Sequence, residues 1–207
     1  MTDLTHPATY TTWTDVPGWM NEREGAKLAR LAKAVAPGIV VEVGTWCGRS
    51  ACALALAVRP LGGKVISIDS YKDESQAAAE AIRTDPTLTP RTAKAIALEA
   101  ADQLDVYDVL DYWHCDSLGR GADYRLHILH NKKVGLLHLD GHHEHDQVMS
   151  ELVAYTPLLA PVAAVALHDY TFEPYGIQEA AEAVLPSIGF SFLHPIDGLG
   201  VWVRGAQ

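Results

Sequence analysis

The chain has 207 residues, a formal net charge of −10, and 48% hydrophobic against 20% charged residues. That length favours one domain with a sizeable core, and that composition excludes the disordered and fibrous classes. The acidic balance argues against nucleic acid as a partner, because affinity for polyanions comes largely from Lys and Arg neutralising phosphates.

No apolar stretch approaches the roughly 18 residues that cross a bilayer, and no N-terminal segment joins basic residues to an apolar run. No membrane partner and a cytoplasmic location are therefore expected. The three cysteines, Cys47, Cys52 and Cys115, are odd in number and lack C-x-x-C spacing. They read as reduced thiols rather than a disulfide framework or a zinc knuckle.

Residues 1–20 carry Trp13, Pro17, Gly18 and Trp19 without periodicity, which suggests an arm packed on the body by its aromatics and placed to line a substrate entrance. Asn21 followed by Glu24 has capping-box character. Leu28, Leu31, Ala32 and Val35 then repeat at helical spacing up to Pro37 and Gly38.

The apolar run Ile39–Val43 reads as a strand. It leads through Gly44, Thr45, Trp46, Cys47 and Gly48 into an Ala- and Leu-rich helix over Ser50–Val58, stopped by Pro60, Gly62 and Gly63. Glycines allow positive φ and close approach of a ligand, and a helix N-terminus offers free N–H groups, so a nucleotide-like cofactor suits this turn. Lys64–Asp69 is a second strand, and the 39–69 unit has the length of a right-handed βαβ crossover with parallel strands.

Residues 72–104 are polar and Ala-rich, split by Pro86 and Pro90 into two predicted helices, a candidate lid or substrate wall. Val109–His114 and Val134–Leu139 read as the third and fourth strands. Val148, Leu152, Tyr155 and Leu159 mark one apolar helix face. A fifth strand over Val162–Leu167 and a short helix over Ile177–Leu185 follow. Phe190–Leu193 and Val201–Val203 are short strands joined by Pro195, Ile196, Asp197 and Gly198, close enough to demand antiparallel pairing.

Four elements in this order resemble the class I methyltransferases that use S-adenosylmethionine (SAM). Glu42, Gly44, Gly48 and Ser50 fit the E-x-G-x-x-x-G-x-S form of that superfamily's first motif, and Asp69 is the acid after strand two. Asp140, Gly141, His142 and His143 are similar to the D-G-x-H element of a subgroup that methylates small hydroxylated metabolites, sugars and antibiotics among them. His168, Asp169 and Tyr170 follow strand five. The resemblance covers about residues 25–203. It implies an α/β, Rossmann-like, doubly wound sheet of seven strands in the order 3-2-1-4-5-7-6 with strand seven antiparallel, in a single domain.

It also implies roles. The loop at Gly44, Trp46 and Gly48, framed by Glu42 and Ser50, would back the amino-acid tail of SAM, with Trp46 either packing or walling the methionine portion. Asp69, with Ser70 beside it, would accept the ribose hydroxyls; Asp116, with Ser117, is either a helix cap or an adenine-side contact. Asp140 lies where ligands of open α/β sheets collect. In metal-dependent relatives, carboxylates after strands four and five hold magnesium. Here Asp140 and Asp169 match while the neighbour is His168, a donor that suits softer transition metals. The candidate metal set is thus Asp140, His168 and Asp169, with magnesium or a transition metal as the ion. His142, His143 and His145 are either a solvated loop or part of this pocket, and His143, three residues after Asp140, is the first candidate base, with Asp140 and His168 beside it.

The reading is methyl transfer from SAM to a hydroxyl of a small molecule, with a homodimer as one compatible assembly. The competing readings are a nicotinamide-dependent oxidoreductase, against which the absence of G-x-G-x-x-G counts, a metallohydrolase built on Leu137–Asp146, and a non-catalytic SAM-binding protein.

Overall fold

The computed structural model describes residues 9–72, 83, 85–119, 134–172 and 175–205. Part of the 72–104 stretch, including the first of its two expected helices, lies outside the described residues.

Local chemistry accounts for the first helix, α1 (Glu22–Val35). The Asn21 side chain accepts from the N–H groups of Arg23 and Glu24, and the Glu24 carboxylate returns to the Asn21 N–H, so three otherwise orphaned donors are satisfied. Its Leu28 and Ala32 are buried against the sheet. β1 (Ile39–Val43) follows, then α2 (Arg49–Val58), β2 (Lys64–Asp69), α3 (Pro90–Gln103), β3 (Leu110–His114), β4 (Val134–Leu139), α4 (His145–Tyr155), β5 (Leu159–Leu167), α5 (Ile177–Val184), β6 (Ser191–Ile196) and β7 (Leu199–Arg204).

The strands form one seven-stranded sheet in the order β3-β2-β1-β4-β5-β7-β6, with β7 antiparallel to both neighbours. This is the sheet order the resemblance implies. Even positions of the central strands (Val40, Leu136, Ala166) face α1 and α2, and odd positions (Val41, Leu137, Val165) face α4 and α5. All six residues of β4 are buried, as expected of a strand covered on both sides.

Two boundaries differ from the sequence reading. β5 begins at Leu159 rather than Val162, because α4 ends at Tyr155 and a 3-10 turn over Thr156–Leu158 breaks the helical spacing; Leu159 therefore belongs to the sheet. The closing hairpin is longer than predicted, and Ile196 pairs with Leu199, leaving only Asp197 and Gly198 in the turn. An Asp-Gly pair suits a tight turn that needs positive φ, and Asp197 has φ 52°. Pro195 is tolerated inside β6 because β6 is the sheet edge.

β1 lies between β2 and β4, so its crossovers leave in opposite directions and open a crevice at the carboxyl ends of β1 and β4.

Candidate active site

A cavity of about 670 Å³ occupies that crevice. Its walls come from the loops after β1, β2, β3, β4 and β5 and from residues 17–20 of the arm. Of the residues singled out from the sequence, Gly44, Trp46, Ser50, Asp69, Ser70, Asp116, Ser117, Asp140, His143, His168 and Asp169 all line it.

Glu42 and Gly48 are not among the lining residues, and each has a structural task instead. Glu42 is fully buried. One carboxylate oxygen accepts from Ser67 Oγ, and the other lies 3.2 Å from His138 Nδ1. Since the single Ser67 proton points to Glu42, Thr45 Oγ1 donates to Ser67 Oγ at 2.6 Å. A buried polar row thus runs beneath the β1–α2 loop and holds it from below. Gly48 has φ 85°, and a Cβ there would stand 2.9 Å from the Tyr112 hydroxyl.

Gly44 is required for another reason: with φ 95°, its missing side chain makes room for the backbone of Asp140 and Gly141, which a Cβ would overlap. The glycine therefore lets the β1 and β4 loops touch. Asp69 anchors the same loop. Its Oδ2 accepts from the N–H groups of Thr45 and Trp46, each at 2.9 Å, and its Oδ1 from Tyr71 N–H at 2.7 Å. Two carboxylate oxygens offer about four lone-pair positions, so one position, on Oδ1, remains for a ligand hydroxyl. Ser117 has its hydroxyl turned away, donating to Glu151 at 2.6 Å. Asp116 pairs with Lys72 at 3.4 Å and caps Leu118 N–H at 3.1 Å; that backbone hydrogen bond, more than the lysine, holds its carboxyl below the usual range.

The charged centre sits at the ends of β4 and β5. His168 Nδ1 lies 3.1 Å from Asp140 Oδ1 and 3.5 Å from Asp169 Oδ1, while its Nε2 lies 3.5 Å from Glu24 Oε2. Burial alone would depress the imidazole, but the Asp140 charge and the surrounding carboxylates outweigh it and hold His168 protonated, well above 6.5. Reciprocally, burial alone would raise Asp140, yet the charge and the hydrogen bond of His168 hold it well below 3.8.

With both nitrogens directed at carboxylates, His168 offers no lone pair, so the set expected from sequence (Asp140, His168, Asp169) is not the one whose donor atoms converge. Among the described residues that set is Asp140, His143 and Asp169, all within 4.8 Å of one another. His143 Nε2 is 3.5 Å from Asp169 Oδ2 and 3.9 Å from Asp140 Oδ1. The ring is 7% exposed, its Nε2 has no hydrogen-bond partner, and Tyr175 stacks on it at 4.4 Å. His145 pairs with Asp146 and is not a lining residue; His142, half exposed, lines the cavity and pairs with Glu144.

Glu24 is the site residue that sequence reasoning missed. It is 4% exposed and bonds the Asn21 N–H, the Gly198 N–H at 2.8 Å and His168. Its capping role was legible, but its approach to the end of β5 is a tertiary fact with no local signal. The cysteines are free, and burial pushes the Cys47 and Cys52 thiols up to about 12, leaving them unreactive at neutral pH.

A sheet in this strand order, with its cleft at the β1/β4 switch point and acids closing β2 and β4, is that of a class I methyltransferase. The model of a methyltransferase-domain family matches residues 41–170, more than half of the chain, and the chain belongs to that family. Among solved structures, a putative caffeoyl-CoA O-methyltransferase from Staphylococcus aureus is similar with TM-score 0.64 at 16% identity, over 93% of this chain and 87% of that one. The O-methyltransferase TomG from Streptomyces achromogenes, involved in tomaymycin synthesis and solved with SAM, gives 0.61 at 15% over 91% and 82%. An O-methyltransferase from Bacillus cereus, solved with SAH, gives 0.60 at 15% over 92% and 83%. At such identities the likeness speaks for the fold. No curated protein sequence matches the chain.

Proposed function

We propose that the chain transfers the methyl group of SAM to a hydroxyl of a small molecule, with His143 as the base. The observation that carries this reading is His143 Nε2, buried, without a hydrogen-bond partner, on a cavity-lining residue and between two carboxylates.

The residues fit SAM in chemistry. Gly44 and Trp46 stand at the end of β1, Asp69 and Ser70 at the end of β2, and Cys115 and Asp116 at the end of β3, a row of loops suited to an elongated polar ligand. SAM supplies an activated methyl on a sulfonium, so the protein's main contribution is alignment, which can be worth roughly 7–11 kcal/mol. The hydroxyl oxygen forms the new bond to the methyl carbon as the carbon–sulfur bond breaks, leaving SAH. His143 Nε2 takes the hydroxyl proton, and the resulting imidazolium is stabilised by Asp169 at 3.5 Å. Tyr175 keeps the ring plane fixed, and His168 keeps Asp140 ionised in place.

A second reading is supported by the same three side chains. Asp140, His143 and Asp169 would hold a divalent metal, magnesium or a transition ion, that lowers the pKa of the hydroxyl. The protonated His168 beside both carboxylates weighs against it, because it already supplies the positive charge there.

A small-molecule acceptor is favoured over nucleic acid by the net charge of −10. No helix among the described residues is long and apolar enough to cross a membrane. A homodimer remains the assembly to test by light scattering.

Calorimetry with SAM, SAH and NAD is the test. SAM and SAH should bind and NAD should not, and labelled methyl should appear on a hydroxylated acceptor. Heat from NAD alone would favour the oxidoreductase, and SAM binding without transfer to any acceptor would favour a binding protein.

A further inference from the structure

Residues 13–20 lie outside the sheet, yet the fold commits several contacts to holding them. Arg49, the first residue of α2, donates from Nε to the Met20 carbonyl at 2.8 Å and from Nη1 to the carbonyls of Thr14 at 2.8 Å and Val16 at 2.7 Å. Its guanidinium lies over the Trp13 ring, 5.3 Å from the centroid. The planar fork of arginine suits such multiple, fixed contacts. Trp13 in turn packs against Gly25 of α1, where any Cβ would overlap the indole. Gly18, at φ 154°, suits glycine, and a Cβ there would press on the Arg49 stem, 3.0 Å from its Cδ. Thr12 caps the 3-10 turn Trp13–Asp15 through a capping box.

What is held so firmly ends at the cavity. Pro17, Gly18, Trp19 and Met20 line it, and Trp19 is 55% exposed although tryptophan is the largest apolar side chain. Its ring lies 6.0 Å from that of Trp46 in the β1–α2 loop. Phe172, from the loop after β5, lines the same cavity and is 52% exposed. From it a ladder of rings runs inward: Phe172 to Tyr175 at 4.7 Å, then Tyr175 to His143 at 4.4 Å. Large exposed aromatics gathered at one cavity mark a surface meant to be covered by a ligand.

The polar inventory of the arm narrows the class. The side chains of Pro17, Trp19 and Met20 offer no strong acceptor, and the carbonyls of Thr14, Val16 and Met20 are already taken by Arg49. A ligand rich in hydroxyl groups would find few partners on this wall and would lose hydration without return.

We propose that this arm is the acceptor-selecting wall of the site, with Trp19 stacking on a flat, apolar, aromatic face of the acceptor and Arg49 as the positioning residue that holds Trp19 there. The inference rests on the methyl-transfer reading above and deepens it by naming the acceptor's chemistry.

The test uses the full chain saturated with SAH and two hydroxylated probes, 2-naphthol and methyl β-glucoside, with binding followed by calorimetry and saturation-transfer NMR. The naphthol should bind at least tenfold more tightly than the glucoside. Trp19→Ala should weaken the naphthol at least tenfold, and Trp19→Phe should recover most of the loss. Arg49→Ala should weaken the naphthol to a similar degree while SAH affinity stays within twofold. Arg49→Lys should not restore it, because one ammonium cannot span three carbonyls. Where turnover is seen, Arg49→Ala should raise the acceptor KM more than it lowers kcat. Equal binding of the two probes, an unchanged Trp19→Ala protein, or joint loss of SAH affinity in Arg49→Ala overturns the inference. Trp19-dependent naphthol binding without methyl transfer to any acceptor leaves the wall standing and removes the methyl-transfer reading. Methyl transfer that ignores Trp19 does the reverse.

Discussion

His168 Nδ1 and Asp140 Oδ1 stand 3.1 Å apart, and the opposite ring nitrogen of the same histidine faces Glu24. An imidazolium is therefore enclosed by acids from β4, β5 and α1. Its raised pKa means that its stabilisation is complete below 6.5 and is lost only as pH rises through the higher folded value. The lowered pKa values of Asp140 and Glu24 mean that their stabilisation is complete above 3.8 and 4.5 and is lost as pH falls through the folded values. Thermal unfolding should show a plateau from about pH 5 through neutrality. At pH 7, His168→Ala should cost about 3 kcal/mol by removing the cation from among Asp140, Asp169 and Glu24. The deficit should shrink towards pH 4 as those acids take up protons; a deficit independent of pH would contradict the charge pairing.

Replacing Gly44 tests the contact between the β1 and β4 loops. Gly44→Ala combines positive φ, at about 1–2 kcal/mol, with overlap on the Asp140 backbone. A fall in stability of at least about 2 kcal/mol is expected in urea unfolding, together with weakened SAH binding, since the shift passes to the loop carrying Asp140. Unaltered SAH affinity would show that the two loops are not coupled.

The polar row under the cofactor loop can be probed at Ser67, which is fully buried. Ser67→Ala leaves a Glu42 oxygen and the Thr45 hydroxyl without their partner, at about 1–3 kcal/mol. Urea unfolding of this variant should show that loss with an unchanged m-value.

His143 carries the proposed proton transfer, so His143→Ala should lower kcat by roughly 10²- to 10⁴-fold while SAH affinity changes little. Exhaustive chelation separates the two mechanistic readings. With His143 as sole base, activity should survive chelator, whereas loss of activity restored by magnesium or manganese would favour the metal.

Much of the fold was legible because its signals are local: a capped helix at Asn21, apolar runs ending in acids, and an Asp-Gly turn in the final hairpin. The loop ends carrying Asp69, Asp116, Asp140 and Asp169 were legible for the same reason, since each acid closes its strand or follows it within two residues. What stayed hidden depends on contacts across the sheet. His143 was already the first candidate base, but that it, and not His168, joins Asp140 and Asp169 in the converging donor set follows from where Glu24 projects, 144 positions from His168 in sequence. Gly48 read as a ligand-facing glycine because positive φ is needed for either purpose; only the nearness of Tyr112 shows what it makes room for.

Asn21, Arg23 and Glu24 bond Asp197 and Gly198 in the β6–β7 turn. During synthesis on the ribosome, the glutamate of the first helix therefore has its partner only once the β6–β7 hairpin has been made. A nascent polypeptide halted near position 190 would thus possess β1 and the loop that follows it, yet lack the clasp on Glu24 beside His168.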